Sequence, residues 1–216
     1  KIIMSSYLNS KKASLLYRDE TLATYFVDKT AMLDELIPVI EQKELTDSSK
    51  NTDSTLRGKS NKYICITMPR RFGKSTIASM IAAYLGKGRN TRPIFDHLAV
   101  SSRKWYPAHI NQHNVIYIAL NSLPANCTSY HQYIGRITRR LLRDLKTAYP
   151  AVEFTEDDTV WDILNDILES EEEDTKFIFV LDEWDFIFHR DFVTDRDKAS
   201  YIDFLSNLLK DQPYVE

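Results

Sequence analysis

Cysteine is scarce in this chain: Cys65 and Cys127 are the only two among 216 residues, and they lie far apart. Disulfide scaffolds are dense in cysteine and metal-binding pairs are closely spaced, so both classes are excluded, and two free thiols in a reducing compartment are expected. The five histidines show no ligand spacing. No apolar run approaches the roughly 20 residues that span a bilayer. Ile2–Met4 is too short for the apolar centre of a signal peptide. These absences point to a cytoplasmic protein with no membrane partner. A net charge of −3 leaves no global basic field for nucleic acid or anionic lipid. There is no internal repeat, and the only biased tract is the acidic ESEEED at 169–174, read as a loop. An initiator Met is lacking too, which raises the expectation of a fragment.

What is present is an ordinary globular composition, 43% apolar and 27% charged, in a length that buries a real core. Residues 1–24 show no clean period and read as a lead-in segment. From 25 to 216 the pattern is that of one α/β domain. YFVDKT (25–30) leads into a helix with Leu33, Leu36, Ile37 and Ile40 on one face. Thr30 is placed as its N-cap, and Asp34 and Glu35 suit its first turns. A polar loop over 43–62 precedes YICIT (63–67), a continuous run expected as a strand buried on both faces. Ile77, Met80, Ile81, Tyr84 and Leu85 mark the next helix, with Gly86 as its C′ stop. VIYIAL (115–120) and FIFVL (177–181) read as further strands. Helices are expected over 130–145, 161–168 and 198–209, the last turning Ile202, Leu205, Leu208 and Leu209 inward. Strands separated by helices argue for a parallel sheet flanked by helices.

The stretch TMPRRFGKST (67–76) falls between a strand and a helix. The phosphate-binding pattern G-x-x-x-x-G-K-[ST] fits it at Gly73, Lys74 and Ser75, with Met68 in place of the leading glycine. A second GKS at 58–60 lies in the polar loop with a strand after it, which is the wrong order. Met68 is tolerable, because the cradle is made by later backbone N–H groups, roughly Arg71 to Thr76, at the helix N-terminus. Lys74 would neutralise phosphate charge and Ser75 would offer its hydroxyl to Mg²⁺. Arg70 and Arg71 add positive charge. The expected ligand-binding set is therefore Arg70, Arg71, Phe72, Gly73, Lys74, Ser75 and Thr76.

FIFVLDEWD places Asp182 and Glu183 directly after a strand. Asp182 would hold the Mg²⁺ shell, and Glu183 would orient or deprotonate an attacking water. Lys74 and Glu183 are the expected catalytic pair; Ser75 and Asp182 are the expected metal pair. A solvated Asp185 and a packed Trp184 are the commoner readings of those neighbours. The adjacent Glu, with the extra strand at 115–120, marks the additional-strand, AAA-like branch of P-loop NTPases.

YFVDKT (25–30), ITMPRRFGKS (66–75), YLGKGRNTRPIFDHLAV (84–100) and FVLDEWD (179–185) together resemble the AAA-ATPase-like domain family. That domain is often fused ahead of a PD-(D/E)xK-type nuclease. Met68 stands where relatives commonly have Arg. The resemblance runs from about Tyr25 to the end of the chain and implies an ATPase with ATP and Mg²⁺, gating an attached effector. It implies Asp28 and Lys29 near the nucleotide; a plain helix entry with an N-cap is an equal alternative. It also implies sheet order 5-1-4-3-2. The chain reaches Glu216 where the fourth strand should begin, so that strand, the sensor residue on it and any nuclease are expected to lie outside 1–216.

Two other functions stay open. One is an ATP-sensing switch with negligible hydrolysis. The other is a nucleic-acid module using Arg136, Arg139, Arg140 and Arg143, which share a helix face opposite Ile134, Ile137, Leu141 and Leu145. A solvated face is the simpler account of that stripe.

Overall fold

The computed structural model describes residues 5–41, 62–69, 71–170 and 175–216. Its helices are α1 (Lys11–Thr21), α2 (Leu33–Ile40), α3 (Lys74–Leu85), α4 (Arg92–Phe95), α5 (Tyr106–His109), α6 (Tyr130–Ala148), α7 (Val160–Ser170) and α8 (Asp195–Leu209). Its strands are β1 (Asn114–Ala119) and β2 (Phe177–Asp182), and 3-10 turns occupy Thr30–Met32, Ala99–Ser102 and Phe186–His189. The architecture is mixed α/β, a small parallel two-stranded sheet flanked by helices.

β1 pairs with β2 from Asn114↔Phe177 through Ala119↔Asp182. Leu120 N–H then donates to the Asp182 carbonyl at 2.9 Å, carrying the pairing to the carboxylate end. Successive side chains of β1 point to opposite faces. Ile116 and Ile118 enter a core built with Ile137, Leu141 and Leu145 of α6, Ile163, Leu164 and Ile167 of α7, and Leu208 of α8. Val115 and Tyr117 enter a second core with Ile77, Met80, Tyr84 and Leu85 of α3, and with Leu33 and Ile37 of α2. One strand thus anchors both layers.

The lead-in segment is more structured than its pattern suggests. Ser10 caps α1 by accepting from Lys12 N–H, and Ala13 and Tyr17 are buried. Asn9 N–H donates to the Val115 carbonyl at 2.7 Å, and Tyr117 N–H donates to the Tyr7 carbonyl at 3.1 Å. These bonds lay residues 7–9 along the free edge of β1, with an antiparallel bridge at Leu8↔Ile116. One oxygen of the buried Asp144 accepts from the N–H groups of Ser6 (2.7 Å), Tyr7 (2.6 Å) and Leu8 (3.3 Å). It also accepts from the Ser5 hydroxyl at 3.0 Å.

Several expected features differ. Tyr63–Thr67 is not a strand; it ladders with no strand among the described residues, and Tyr63 is 52% and Ile64 49% exposed. An apolar groove of about 660 Å³ separates it from β2, lined by Ile66, Met68, Ile178 and Val180 among others. An apolar run becomes a buried strand only where it ladders into a sheet whose two faces are covered. Among the described residues, the outer edge of β2 carries a single parallel bridge, Phe177↔Val215. Lys62 Nζ donates to the Val215 carbonyl at 2.7 Å, so this rung lies beside the start of 62–69.

Thr30 is not the α2 cap but the buried start of the preceding 3-10 turn, and Met32 takes the cap position. Gly86 ends α3 with φ −61°, not left-handed; its constraint is contact, since a Cβ there would meet the Ala82 carbonyl oxygen at 2.7 Å. α8 begins earlier than its apolar pattern, because Thr194 and Asp197 form a capping box. It buries Tyr201 and Leu208, while Ile202 stays 46% exposed. The GKS at 58–60 and residues 171–174 of the acidic tract lie outside the described residues.

Replacing Asp144 by Ala strands three backbone donors and should cost about 2–4 kcal/mol, by the scale of unsatisfied buried groups. Urea unfolding reads this as a lower midpoint at unchanged slope; an unchanged midpoint would show that residues 5–8 contribute nothing to the fold.

Candidate functional site

The loop before α3 turns through two left-handed residues, Arg71 (φ 69°) and Gly73 (φ 84°). Gly73 is the N-cap of α3, and no side chain caps that end. The first N–H groups of a helix have no intrahelical acceptor, and the helix dipole adds positive potential there. Ile77 N–H closes the first turn on the Gly73 carbonyl at 3.0 Å, leaving Lys74, Ser75 and Thr76 N–H to face outward. The helix itself is held rigidly, with Ile77 and every residue from Ser79 to Leu85 buried.

Across from this helix start, β2 ends at Asp182 and the chain turns sharply at Glu183, which sits at φ 55°. A left-handed conformation in a glutamate is uncommon and costs on the order of 1–3 kcal/mol. Its consequence is geometric. Phe186 N–H bonds the Glu183 carbonyl at 3.0 Å, folding the 3-10 turn Phe186–His189 back toward the loop. The Tyr201 hydroxyl of α8 donates to the Trp184 carbonyl at 2.8 Å and fixes the turn from below.

A cavity of about 580 Å³ lies between these two walls, within the range of ligand pockets (roughly 300–1,000 Å³). Arg71, Gly73, Lys74 and Ser75 line one side, and Glu183, Asp185, Phe186, His189 and Arg190 the other. Lys74 and Glu183 also border the apolar groove, where Asp182 is found. Asp182 is 7% exposed and pairs with no cation among the described residues. Burial, and after it the charge of Asp182, push the Tyr117 phenol up to about 12.

The expected residues therefore divide. Arg71, Gly73, Lys74, Ser75 and Glu183 share one cavity; Asp182 adjoins it through the groove. Phe72 is 59% exposed and borders neither space, as does the half-buried Thr76. Arg70 lies outside the described residues. Trp184 is 45% exposed and meets Phe188 edge-to-face; Asp185 is exposed but lines the cavity. Phe186, His189 and Arg190 carried no signal in the sequence, because a short 3-10 turn has no readable period.

Lys29 reaches the loop from outside. Its ammonium donates to the Phe72 carbonyl, and a Cβ built on Gly73 would lie 2.6 Å from it. Asp28 holds this arm in place. One carboxylate oxygen accepts from Thr30 N–H (2.8 Å) and from the Thr30 hydroxyl (2.7 Å). The other accepts from Ala99 N–H at 2.7 Å. Burial pushes the Asp28 carboxyl up, but these hydrogen bonds outweigh it and hold it below the usual carboxylate range. With a lowered folded-state pKa, this tie is present above the unfolded value and is lost as pH falls through the folded one.

The arginines of α6 are partly spoken for. Burial pushes the Tyr7 phenol up against the opposing charge of nearby Arg140, and Arg143 donates to the Ser6 hydroxyl at 2.7 Å. Arg143 thus serves the lead-in segment. Cys65 and Cys127 are both free.

The model of the AAA-ATPase-like family, described as a predicted AAA-ATPase, matches residues 54–212. The match covers most of the chain, and the chain belongs to that family. No curated protein matches it, and no solved structure does. Among the described residues, no helix is long and apolar enough to cross a membrane. No group of three or more His, Cys, Asp or Glu there forms a metal cage. Mg²⁺ needs none, since it binds through one or two protein oxygens plus water and substrate phosphates.

Gly73→Ala should destabilise the chain by about 1–3 kcal/mol through its left-handed backbone. Thermal unfolding checks this, and an unchanged midpoint would mean the loop relaxes freely into another conformation.

Proposed function

We propose that this chain binds Mg-ATP across the Gly73–Ser75 and Glu183 walls of the cavity and hydrolyses it. The proposal includes a P-loop NTPase fold of the additional-strand, AAA-like branch for residues 25–216. The observation that carries it is the uncapped N-terminus of α3, led by left-handed Gly73, opening onto the cavity that Glu183 borders. Outward N–H groups and the ammonium of Lys74 suit a polyphosphate. Ser75 and Asp182 would hold Mg²⁺, which supplies charge neutralisation on the phosphates when bound. Glu183 takes the role of orienting an attacking water and accepting its proton. Arg71 adds charge at the loop, and Arg70 is assigned the same part.

Lys29 steadies the Phe72–Gly73 corner, so the YFVDKT segment acts on the loop rather than on the base. The groove beside β2 is assigned to a further parallel strand, whose first rung is Val215 on Phe177. The turnover is proposed to drive an attached effector, for which a nuclease is the family-based candidate. A cytoplasmic setting fits the free thiols. The nucleic-acid reading loses support, because Arg143 is engaged by Ser6 and Arg140 lies beside the Tyr7 phenol.

Titration of a fluorescent ATP analogue with Mg²⁺ tests the site. Lys74→Ala should weaken binding at least about tenfold, the scale of a charge-assisted contact; equal binding would overturn it. Glu183→Gln should keep the nucleotide and lower turnover by about 10²-fold or more. Unchanged turnover, at a negligible wild-type rate, would favour the ATP-sensing switch.

A further inference from the structure

We infer that Arg190 is the residue that reads the terminal phosphate, making the site selective for a nucleoside triphosphate over a diphosphate; this rests on the Mg-ATP reading above. Arg190 lines the cavity on the Glu183 side, facing the loop wall of Gly73, Lys74 and Ser75. Its guanidinium carbon lies 4.2 Å from the centroid of the Phe186 ring. That stacking sets the plane of the fork without using its N–H donors.

The Nε of Arg190 is buried and has no hydrogen-bond partner. Among the described residues Arg190 forms no ion pair, although Glu183 and Asp185 line the same cavity. A buried donor without an acceptor is costly, and in native structures such a group marks a strained, functional, or ion- or water-bound position. Arginine suits an oxyanion of phosphate, because its planar fork donates two parallel hydrogen bonds.

Position within the cavity selects which phosphate. The helix start at Gly73–Ser75 is one wall, and phosphates laid along it are held by backbone N–H groups. The opposite wall carries Glu183, the group assigned to the attacking water, and that water must lie next to the phosphate being transferred. Arg190 arrives on that same wall, seven residues on along one turn that the left-handed Glu183 folds back. A charge there is felt by the terminal phosphate and not by a diphosphate seated deeper in the loop.

The test compares fluorescent ATP and ADP analogues, each with Mg²⁺, on wild type, Arg190→Gln and Arg190→Lys, with thermal midpoints recorded. Arg190→Gln should weaken ATP-analogue binding about tenfold and leave ADP-analogue binding within about twofold. Arg190→Lys should recover part of the loss. If Arg190→Gln does not fold, Phe186→Leu takes its place, since it frees the guanidinium while keeping its charge, and should give a smaller loss confined to ATP. Equal loss of both nucleotides, or no loss of either, overturns the inference while leaving the Mg-ATP site intact. No binding of either analogue by folded wild type sinks the Mg-ATP reading and the inference with it.

Discussion

Everything at the site depends on the parallel pairing of β1 with β2. Six residues in register bring the Asp182 end of β2 level with Ala119, and the Leu120 bond to the Asp182 carbonyl holds the two ends together. Because β1 faces both cores, the same strand that sets β2 also sets α3 through Val115 and Tyr117. The start of α3 and the end of β2 are thereby fixed relative to one another, through β1 and through the packing of Ile178 and Val180 of β2 on the core that α3 fills. A site built between two packed elements holds its geometry better than one carried on a free loop.

Among the described residues, left-handed backbone outside glycine falls on four Asn or Asp residues, which tolerate it, and on Arg71 and Glu183, which do not. Arg71 and Glu183 both border the cavity, as does left-handed Gly73. Only Gly73 is suited to it by chemistry. The other two are held there by their surroundings: Lys29 and Asp28 around the loop, and the Tyr201 hydroxyl beneath the turn. Left-handed backbone outside glycine is a common mark of functional turns, and two such residues on opposite walls of one cavity are hard to ascribe to accident. The apolar groove is the complementary feature. It leaves β2 half-buried where β1 is buried, and so exposes the edge of the sheet on the side of Lys74.

The helices with strong apolar period were legible: α3 buries all the residues its spacing selects, α6 buries Ile137, Leu141 and Leu145 with Ile134 half-buried, and both strands of the ladder were found. Gly73, Lys74, Ser75 and Glu183, expected together from the loop-helix order and the acidic end of β2, line one cavity. Tyr63–Thr67 was misread, since an apolar run reports the preference for burial and not the presence of a neighbouring edge. α1 was missed because it buries only Ala13 and Tyr17, too few to show a period. The role of Asp144 depends on hydrogen bonds to residues 5–8 across the fold, and Arg190 on a turn of four residues. Neither leaves a local pattern. Contacts of that kind become visible only once tertiary structure supplies the neighbour.

The most direct measurement of the central claim is amide hydrogen exchange across the chain, with and without saturating Mg-ATP. The account requires slowed exchange in two stretches together, Arg71–Ile77 and Asp182–Arg190, with the α6 stretch Arg136–Arg143 unchanged. Protection of α6 alone, or of neither wall of the cavity at nucleotide concentrations that saturate binding, would contradict it.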